Sequence, residues 1–272
     1  MDLKKLITES VILDQFQDID TELSKIKESI NQQLMIEGVD DPGILKAIFM
    51  AGGPGSGKSF TAMEVFGIDK QLKSSFSTFG LKVVNSDVAF EKLLKQNGID
   101  PKDLAKIEKE NPDLWDKIVV GPDSIRGKAK AITNKVKSFY EAGRLGIIQD
   151  GTGDDYEKIK KRKERAEALG YDCYMVFVNT SLEVAHERNN KRDRTLPEEI
   201  LTQSWKACQE NMGRFKGLFG GNFEIVDNTV YKPVDKQVQK HVNNFLRKPI
   251  QNHIGKQWIK TARELKNANL IK

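Results

Sequence analysis

Residues 47–59 read Ala47-Ile48-Phe49-Met50-Ala51-Gly52-Gly53-Pro54-Gly55-Ser56-Gly57-Lys58-Ser59. The first five form a short, unbroken apolar run, the pattern of a strand buried on both faces of a parallel sheet. The next eight fit G-x-x-x-x-G-K-[ST], which is a phosphate-binding loop when it joins a strand to a helix. Phe60-Thr61-Ala62-Met63-Glu64-Val65-Phe66 can continue the chain as that helix. Glycines allow backbone to approach a polyphosphate closely, and amide N–H groups at a helix start attract anions. The expected nucleotide contacts are therefore Gly53, Pro54, Gly55, Ser56, Gly57, Lys58, Ser59 and Phe60. In such a loop the lysine reaches the β- and γ-phosphates and the hydroxyl ligates Mg²⁺, so ATP and Mg²⁺ are the expected ligands of Lys58 and Ser59. The competing reading is a plain glycine-rich turn. Spacing and strand–loop–helix context together favour the phosphate loop.

Outward from that loop, apolar runs and helical periodicity alternate. Strands are expected at 80–85, 146–150, 172–178 and 222–227. Helices are expected at 88–96, 124–142, 154–169 (stopped by Gly170), 182–190 and from Pro197 to about residue 211. Alternation of this kind predicts an α/β P-loop NTPase fold, a roughly five-stranded parallel sheet with helices on both faces. Ligands of such sheets bind beyond the carboxyl ends of the strands. The P-loop, Asn85-Ser86-Asp87 and Asp150-Gly151-Thr152 then converge on one crevice. Three regions follow: an amphipathic helical arm at 1–42, closed by the turn Asp40-Asp41-Pro42-Gly43; a core at 43–230; and a helical extension at 231–272. Within the core, 98–122 reads as a charged, proline-punctuated helical insertion and 188–197 as a basic lid.

Composition excludes several classes. No run of eighteen apolar residues exists, so no membrane span is expected. The N-terminus lacks the apolar centre of a secretory signal, and the two cysteines read as thiols of a reducing cytoplasm. Cys173 and Cys208 lie far apart and read as free thiols. His186, His241 and His253 make no zinc spacing with them. The net charge of +5 is uneven: residues 231–272 hold ten Lys/Arg against Asp235 and Glu264, a surplus of eight, which leaves −3 for the remainder. Such a tail can bind nucleic acid or another polyanion. It can equally be the wet side of helices whose apolar positions, Val238, Val242, Phe245 and Leu246, pack on the core, and this second reading is favoured.

Asp87 stands at the ligand end of the second strand in sequence. A carboxylate there can accept the proton of an attacking hydroxyl and align its oxygen; its competing role is to cap a helix beginning at Val88. Asp150 can hold Mg²⁺ as a Walker-B acid does, and Thr152, between two glycines, lets a ligand approach its backbone. Arg188, Arg192 and Arg194 precede Pro197. Their forked donors suit a transferring phosphoryl group, on a segment able to close over ATP. Arg126, Lys128 and Lys130 lie early in the helix at 124–142, where they can meet an anionic acceptor or simply face water.

The order of P-loop, Asn85-Ser86-Asp87, Asp150-Gly151-Thr152 and an arginine-rich lid before Leu196-Pro197 resembles the P-loop kinases of the zeta-toxin and polynucleotide-kinase group, over roughly residues 46–228. The resemblance implies an ATP-dependent kinase in which Asp87 is the base for the acceptor hydroxyl, Lys58 and Ser59 serve the phosphates and Mg²⁺, and Arg188, Arg192 and Arg194 are the lid arginines. The terminal extensions depart from that pattern, and the 98–122 insertion lies where acceptor-binding elements often sit. The acceptor therefore stays open among a nucleotide-sugar hydroxyl, a 5′-hydroxyl of nucleic acid and a hydroxymethyl group on a modified base. A P-loop NTPase and a nucleotide-switched nucleic-acid-binding protein are the alternatives. The oligomeric state is not legible.

Overall fold

The computed structural model describes residues 38–40, 43–68, 79–191 and 195–267. The expected arm at 1–42 lies outside the described residues except for the 3-10 turn Gly38–Asp40, and Arg192 and Arg194 also lie outside them.

Five strands, β1 (Lys46–Ala51), β2 (Lys82–Val84), β3 (Ile147–Asp150), β4 (Asp172–Asn179) and β5 (Phe223–Asp227), pair in the order β2-β3-β1-β4-β5, and each pairing is parallel. Parallel neighbours cannot be joined by a tight turn, so helices carry the chain back across the sheet. These are α1 (Lys58–Phe66), α2 (Ser86–Gln96), α3 (Leu104–Glu110), α4 (Pro112–Val119), α5 (Ile125–Ala142), α6 (Tyr156–Ala168), α7 (Leu182–Asn190) and α8 (Glu198–Phe219). Beyond the sheet follow α9 (Lys236–Arg247) and α10 (His253–Asn267). β1 is central and buried along its whole length, which accounts for its unbroken apolar run.

The two faces of the sheet are covered differently. On one, Ile48, Met50, Ile148 and Val176 pack with Val65 and Phe66 of α1 and with Val238, Val242, Phe245 and Leu246 of α9. The apolar stripe of the basic tail is thus spent on the core. On the other face α8 inserts Phe219 against Phe49 (ring centroids 5.3 Å apart) and Phe215 against Phe177 (6.4 Å). A satellite core joins α2 to α5 through Phe90, Leu93, Leu94 and Ala129. Leu104 of α3 and Ile118 of α4, from the segment read as an insertion, complete it.

Several expectations need correction. The second strand in sequence is an edge strand: β3 lies between β1 and β2, so the acid next to β1 is Asp150, and Asp87 is one strand further out. The helix after β2 starts at Ser86 instead of Val88. Its N-cap is Asn85, whose side chain accepts from the Asp87 N–H, so Asp87 is not the cap. Pro197 is the N-cap of α8, one position before the helix starts, and α8 runs on to Phe219. Gly213 and Gly217 do not stop it, because both face open space while Phe215 and Phe219 anchor the far turns.

At the amino ends of the central strands sits a buried ion pair. Lys46 Nζ, 2 % exposed, lies 3.2 Å from Asp172 Oδ2, donates to Lys248 O at 2.8 Å and sits 4.7 Å from the centre of the Phe245 ring. Burial pushes the Lys46 ammonium down, and Asp172 opposes that shift. The same carboxylate accepts from the backbone N–H groups of Gln251 and Asn252, which ties the C-terminal segment to the sheet. Removing one partner of such a pair strands the other in a dry site. Asp172→Ala is therefore expected to destabilise the protein by about 3 kcal/mol, read as a lower urea midpoint with an unchanged slope. A loss below about 1 kcal/mol, the ceiling for exposed pairs, would mean that water reaches the pair.

Candidate active site

β1 ends at Ala51 and the chain turns through residues 52–57 into α1. Gly55 (φ 76°) and Gly57 (φ 85°) take left-handed backbone that other residues adopt only at a cost. Space demands glycine as well: a Cβ on Gly55 would lie 2.5 Å from Ala185 O, and one on Gly57 would lie 2.2 Å from Asn228 Nδ2.

The loop is held from several sides. Gly52 N–H donates to Thr152 O at 2.9 Å, which joins the P-loop to the turn after β3. Asn228, buried just past β5, donates its side-chain amide to Ser56 O at 2.7 Å. Arg188, in the last turn of α7, donates Nη2 to Asn228 O at 2.7 Å and Nη1 to Gly55 O and Ser56 O at 3.4 Å. Trp205 of α8 lies against Gly53 and donates its indole N–H to Thr180 O at 2.9 Å.

Two features fit a polyphosphate. No side chain caps α1 and its first turn carries no acid, so the positive end of that helix is uncompensated. Lys58 folds back over the loop, its Nζ 2.6 Å from Gly52 O and 3.2 Å from Gly53 O, contacts that an anion bound in the loop can replace. The buried hydroxyl of Ser56 has no hydrogen-bond partner, and Ser59 is exposed.

The adjoining acids are arranged unequally. Asp150 Oδ2 accepts from Asn85 Nδ2 at 2.9 Å, while Oδ1 is shut off from solvent with no partner. Burial raises the Asp150 carboxyl above its ordinary range, Lys58 pulls it down, and Asp87 pushes it up again. Lys58, Asp87 and Asp150 therefore share one field at the carboxyl edge of the sheet. Asp87 is nearly half exposed, and its Oδ1 accepts from Arg126 Nη1 at 2.7 Å. The Arg126 guanidinium also lies 4.8 Å from the centre of the Phe90 ring.

An orphaned carboxylate oxygen on Asp150, which feels the charge of Lys58, and an exposed hydroxyl on Ser59, the residue after that lysine, are groups that suit a divalent cation. Among the described residues no group of three or more His, Cys, Asp or Glu could hold a metal alone. Mg²⁺ would accordingly be held by Ser59 and Asp150 together with substrate phosphates and water. The raised Asp150 carboxyl has a sign that can be worked out. A folded state that holds this proton more tightly than the unfolded chain loses stability as pH rises through the acidic range towards the raised value. At neutral pH, where the unfolded chain has already released this proton, the raised carboxyl of the ligand-free site is therefore a cost to the folded state. Asp150→Asn should raise the melting temperature of the nucleotide-free protein at pH 7 while weakening Mg²⁺-dependent ATP binding by about tenfold or more. A lowered melting temperature would contradict the first half, and unchanged Mg²⁺ dependence the second.

Thr152 contributes its carbonyl to Gly52, as above, and also accepts from Cys208 Sγ; its hydroxyl donates to Asp154 Oδ1. Both cysteines are buried free thiols, and burial pushes Cys208 up to about 12. Phe60 stacks on the exposed Tyr231 at 4.9 Å. The structure thus brings together the P-loop, Asp87, Asp150, Thr152, Arg126 and Arg188. Sequence reasoning missed Asn228 as a P-loop contact, Asn85 as the link to Asp150, and Trp205 as a wall of the loop. A buried Asn just past a strand was the available signal for the first. On α10, Lys256, Lys260, Arg263 and Lys266 face solvent, and Arg263 and Lys266 meet Asp40.

The AAA domain family model matches residues 48–215, from β1 into α8. The chain belongs to the AAA domain family. No curated protein sequence matches this AAA domain protein. Among solved structures it is similar to a chain of the AvrRxo1-ORF1:AvrRxo1-ORF2 complex with sulphate ions, at 14 % identity and a TM-score of 0.51 over 77 % of this chain and 62 % of that one. It thus spans less than two thirds of that relative's length. It is also similar to a chain of the PezAT chromosomal toxin–antitoxin system of Streptococcus pneumoniae, at 14 % identity and a TM-score of 0.46, covering 91 % of this chain and 95 % of that one. The P-loop kinase-like fold implied by the sequence resemblance is the fold found. No helix among the described residues is long and apolar enough to cross a membrane.

Proposed function

We propose that this AAA domain protein is an ATP-dependent phosphotransferase that moves a γ-phosphoryl group to an alcohol. The acceptor would be a hydroxyl of a nucleotide-sugar, a nucleic acid or a modified base. The observation that carries the reading is a glycine loop with an uncapped helix behind it and, at the same end of the sheet, two carboxylates, Asp150 and the partly exposed Asp87, joined through Asn85, which donates to Asp150 and accepts from the Asp87 N–H. An NTPase needs the loop and the Asp150 acid. A second carboxylate, Asp87 in the first turn of α2 beyond the outer strand β2 and partly open to solvent, is what an alcohol requires.

In this reading residues 53–60 hold the triphosphate and Lys58 neutralises charge on the β- and γ-phosphates. Bound Mg²⁺, at Ser59 and Asp150, supplies further neutralisation of the phosphate oxygens. Asp87 aligns the acceptor and takes its proton. Bond-making is loose in such transition states, so positioning and charge supply most of the rate. Arg188, which here braces the P-loop, is the described one of the three arginines of the basic segment 188–197, proposed as a lid. The helices α3 and α4 flank the acceptor side. ATP labelled in the γ-position, offered with pooled nucleosides, nucleotide-sugars and 5′-hydroxyl oligonucleotides, tests the proposal. Label should appear in an acceptor, with ADP formed in proportion to it. Inorganic phosphate released without acceptor, and no labelled product, would make the protein an NTPase.

A further inference from the structure

At the amino ends of the strands, opposite the phosphate loop, a cavity of about 270 Å³ opens between the late turns of α6, the start of β4 and the chain leaving α9. None of the residues lining it belongs to the phosphate-loop site. Cys173 forms part of the wall, and burial pushes its thiol up, so it presents a neutral sulfur and not a nucleophile. Phe245 of α9 and Phe219 of α8 add ring surface from the two faces of the sheet.

The charges around this space do not balance. Lys163 of α6 lines it with a side chain only 14 % exposed; its Nζ lies 5.5 Å from the centre of the Phe219 ring and donates to Glu167 Oε1 at 2.5 Å. Among the described residues that is one acceptor for three donors. An ammonium largely withdrawn from water, with donors to spare, favours an anion. Lys248 lines the same cavity from its exposed side, and its ammonium meets no acceptor among the described residues. Burial pushes the Lys46 ammonium down, Asp172 holds it up, and the charge of Lys248 pushes it down again, so Lys46 and Lys248 stand close enough to repel. The acids do not answer all three lysines. Asp172 already spends both carboxylate oxygens on Lys46 and on the backbone N–H groups of Gln251 and Asn252, and Glu167 is paired with Lys163. Three lysines against two acids, in and behind the cavity wall, leave a surplus of one positive charge.

We propose that this cavity binds a small aromatic carboxylate, with its acid group on Lys163 and Lys248 and its ring against Phe219 and Phe245. One surplus positive charge matches a monoanion. A phosphate monoester carries more than one negative charge at neutral pH and would leave part of it uncompensated beside Glu167. A cation is disfavoured for the opposite reason, since Asp172 has its oxygens engaged and Glu167 already holds a lysine. Size points the same way. The volume falls just below that of sites for drug-sized ligands, which begin at about 300 Å³, and so suits one ring with its acid group better than a nucleotide. The bound acid would tie α6 to residues 248–252, a segment that β4 already holds through Asp172.

Titration of the isotope-labelled full chain with benzoate and phenylacetate, followed through its amide NMR signals, tests this. Saturable shifts should centre on Cys173, Gln251 and Asn252 and persist with Mg-ATP present. Benzamide, which keeps the ring and loses the charge, should bind about tenfold or more weakly, the scale of hydrogen bonds to a charged group. Benzylamine should not bind. Lys163→Gln and Lys248→Glu should each raise Kd for benzoate by about tenfold or more. Lys248 is exposed, so its variant should keep the wild-type melting temperature, and lost binding there is not lost fold. Equal affinity for benzoate and benzamide would reduce the cavity to an apolar cleft and overturn the proposal. So would tighter binding of phenyl phosphate, an unchanged Kd in both lysine variants, or no saturable shift at millimolar ligand. Shifts confined to residues 52–57 and abolished by Mg-ATP would put the anion in the phosphate loop and overturn it as well.

Discussion

Asp87→Asn is expected to lower phosphoryl transfer about a thousandfold, within the span removed with a general base, while ATP still binds. The substitution is nearly isosteric. The α2 cap survives it, because Asn85 accepts from the backbone N–H of residue 87 and not from its side chain. The ion pair to Arg126 is lost, but at 43 % and 27 % exposure it contributes at most about 1 kcal/mol to stability. What disappears is an anionic oxygen able to take a proton, since an amide nitrogen offers only donors on that side. Single-turnover transfer from labelled ATP, with nucleotide affinity measured separately on the same variant, separates the two effects. Normal transfer by the variant would remove Asp87 from the chemistry.

Lys58→Ala should lower turnover by about a hundredfold or more with every acceptor, the scale of losing one preorganised charge beside a transferring group. Lys58 now spends its ammonium on Gly52 O and Gly53 O, at 2.6 and 3.2 Å. These carbonyls stay at the mouth of the loop, so the folded state survives the truncation. The expected loss has no acceptor dependence, because the lysine serves the donor nucleotide. Lys58→Arg should not restore activity: a planar fork cannot stand in for a compact point charge in a loop this close-packed. Full turnover by Lys58→Ala at saturating ATP would contradict the phosphate role.

The two results together would test the division of labour between the donor side, built on β1 and α1, and the acceptor side, built on β2, α2 and α5. Asp150 stands between them on β3. Its orphaned oxygen and raised carboxyl are costs to the ligand-free protein, of the kind that functional sites carry and the rest of the fold offsets.

Local chemistry made part of this legible in the chain. The glycine loop could be read because its requirements are local: left-handed backbone at Gly55 and Gly57, a lysine and a serine one helical step on. The alternation of strands and helices could be read because a buried parallel strand and an amphipathic helix impose different periods on apolar residues. Helix ends were less legible. Asn85 takes the cap that was only the competing role of Asp87, and α8 runs past two glycines, because packing of Phe215 and Phe219 outweighs the cost of flexible residues on its wet side.

By itself, then, the sequence determined a phosphate loop between a central strand and a helix, the kind of sheet around it, and a short roster of acids and arginines at strand and helix ends. Only the tertiary structure decided how they are matched. It inserted β3 between the P-loop strand and β2, set Asp150 rather than Asp87 beside the loop, and joined Asp87 to Arg126 across 39 positions of chain. It also turned Asn228 back onto Ser56 across 172. Strand order and long-range pairing depend on how helices cross and pack over the sheet, a property of the closed core that no local window of residues encodes.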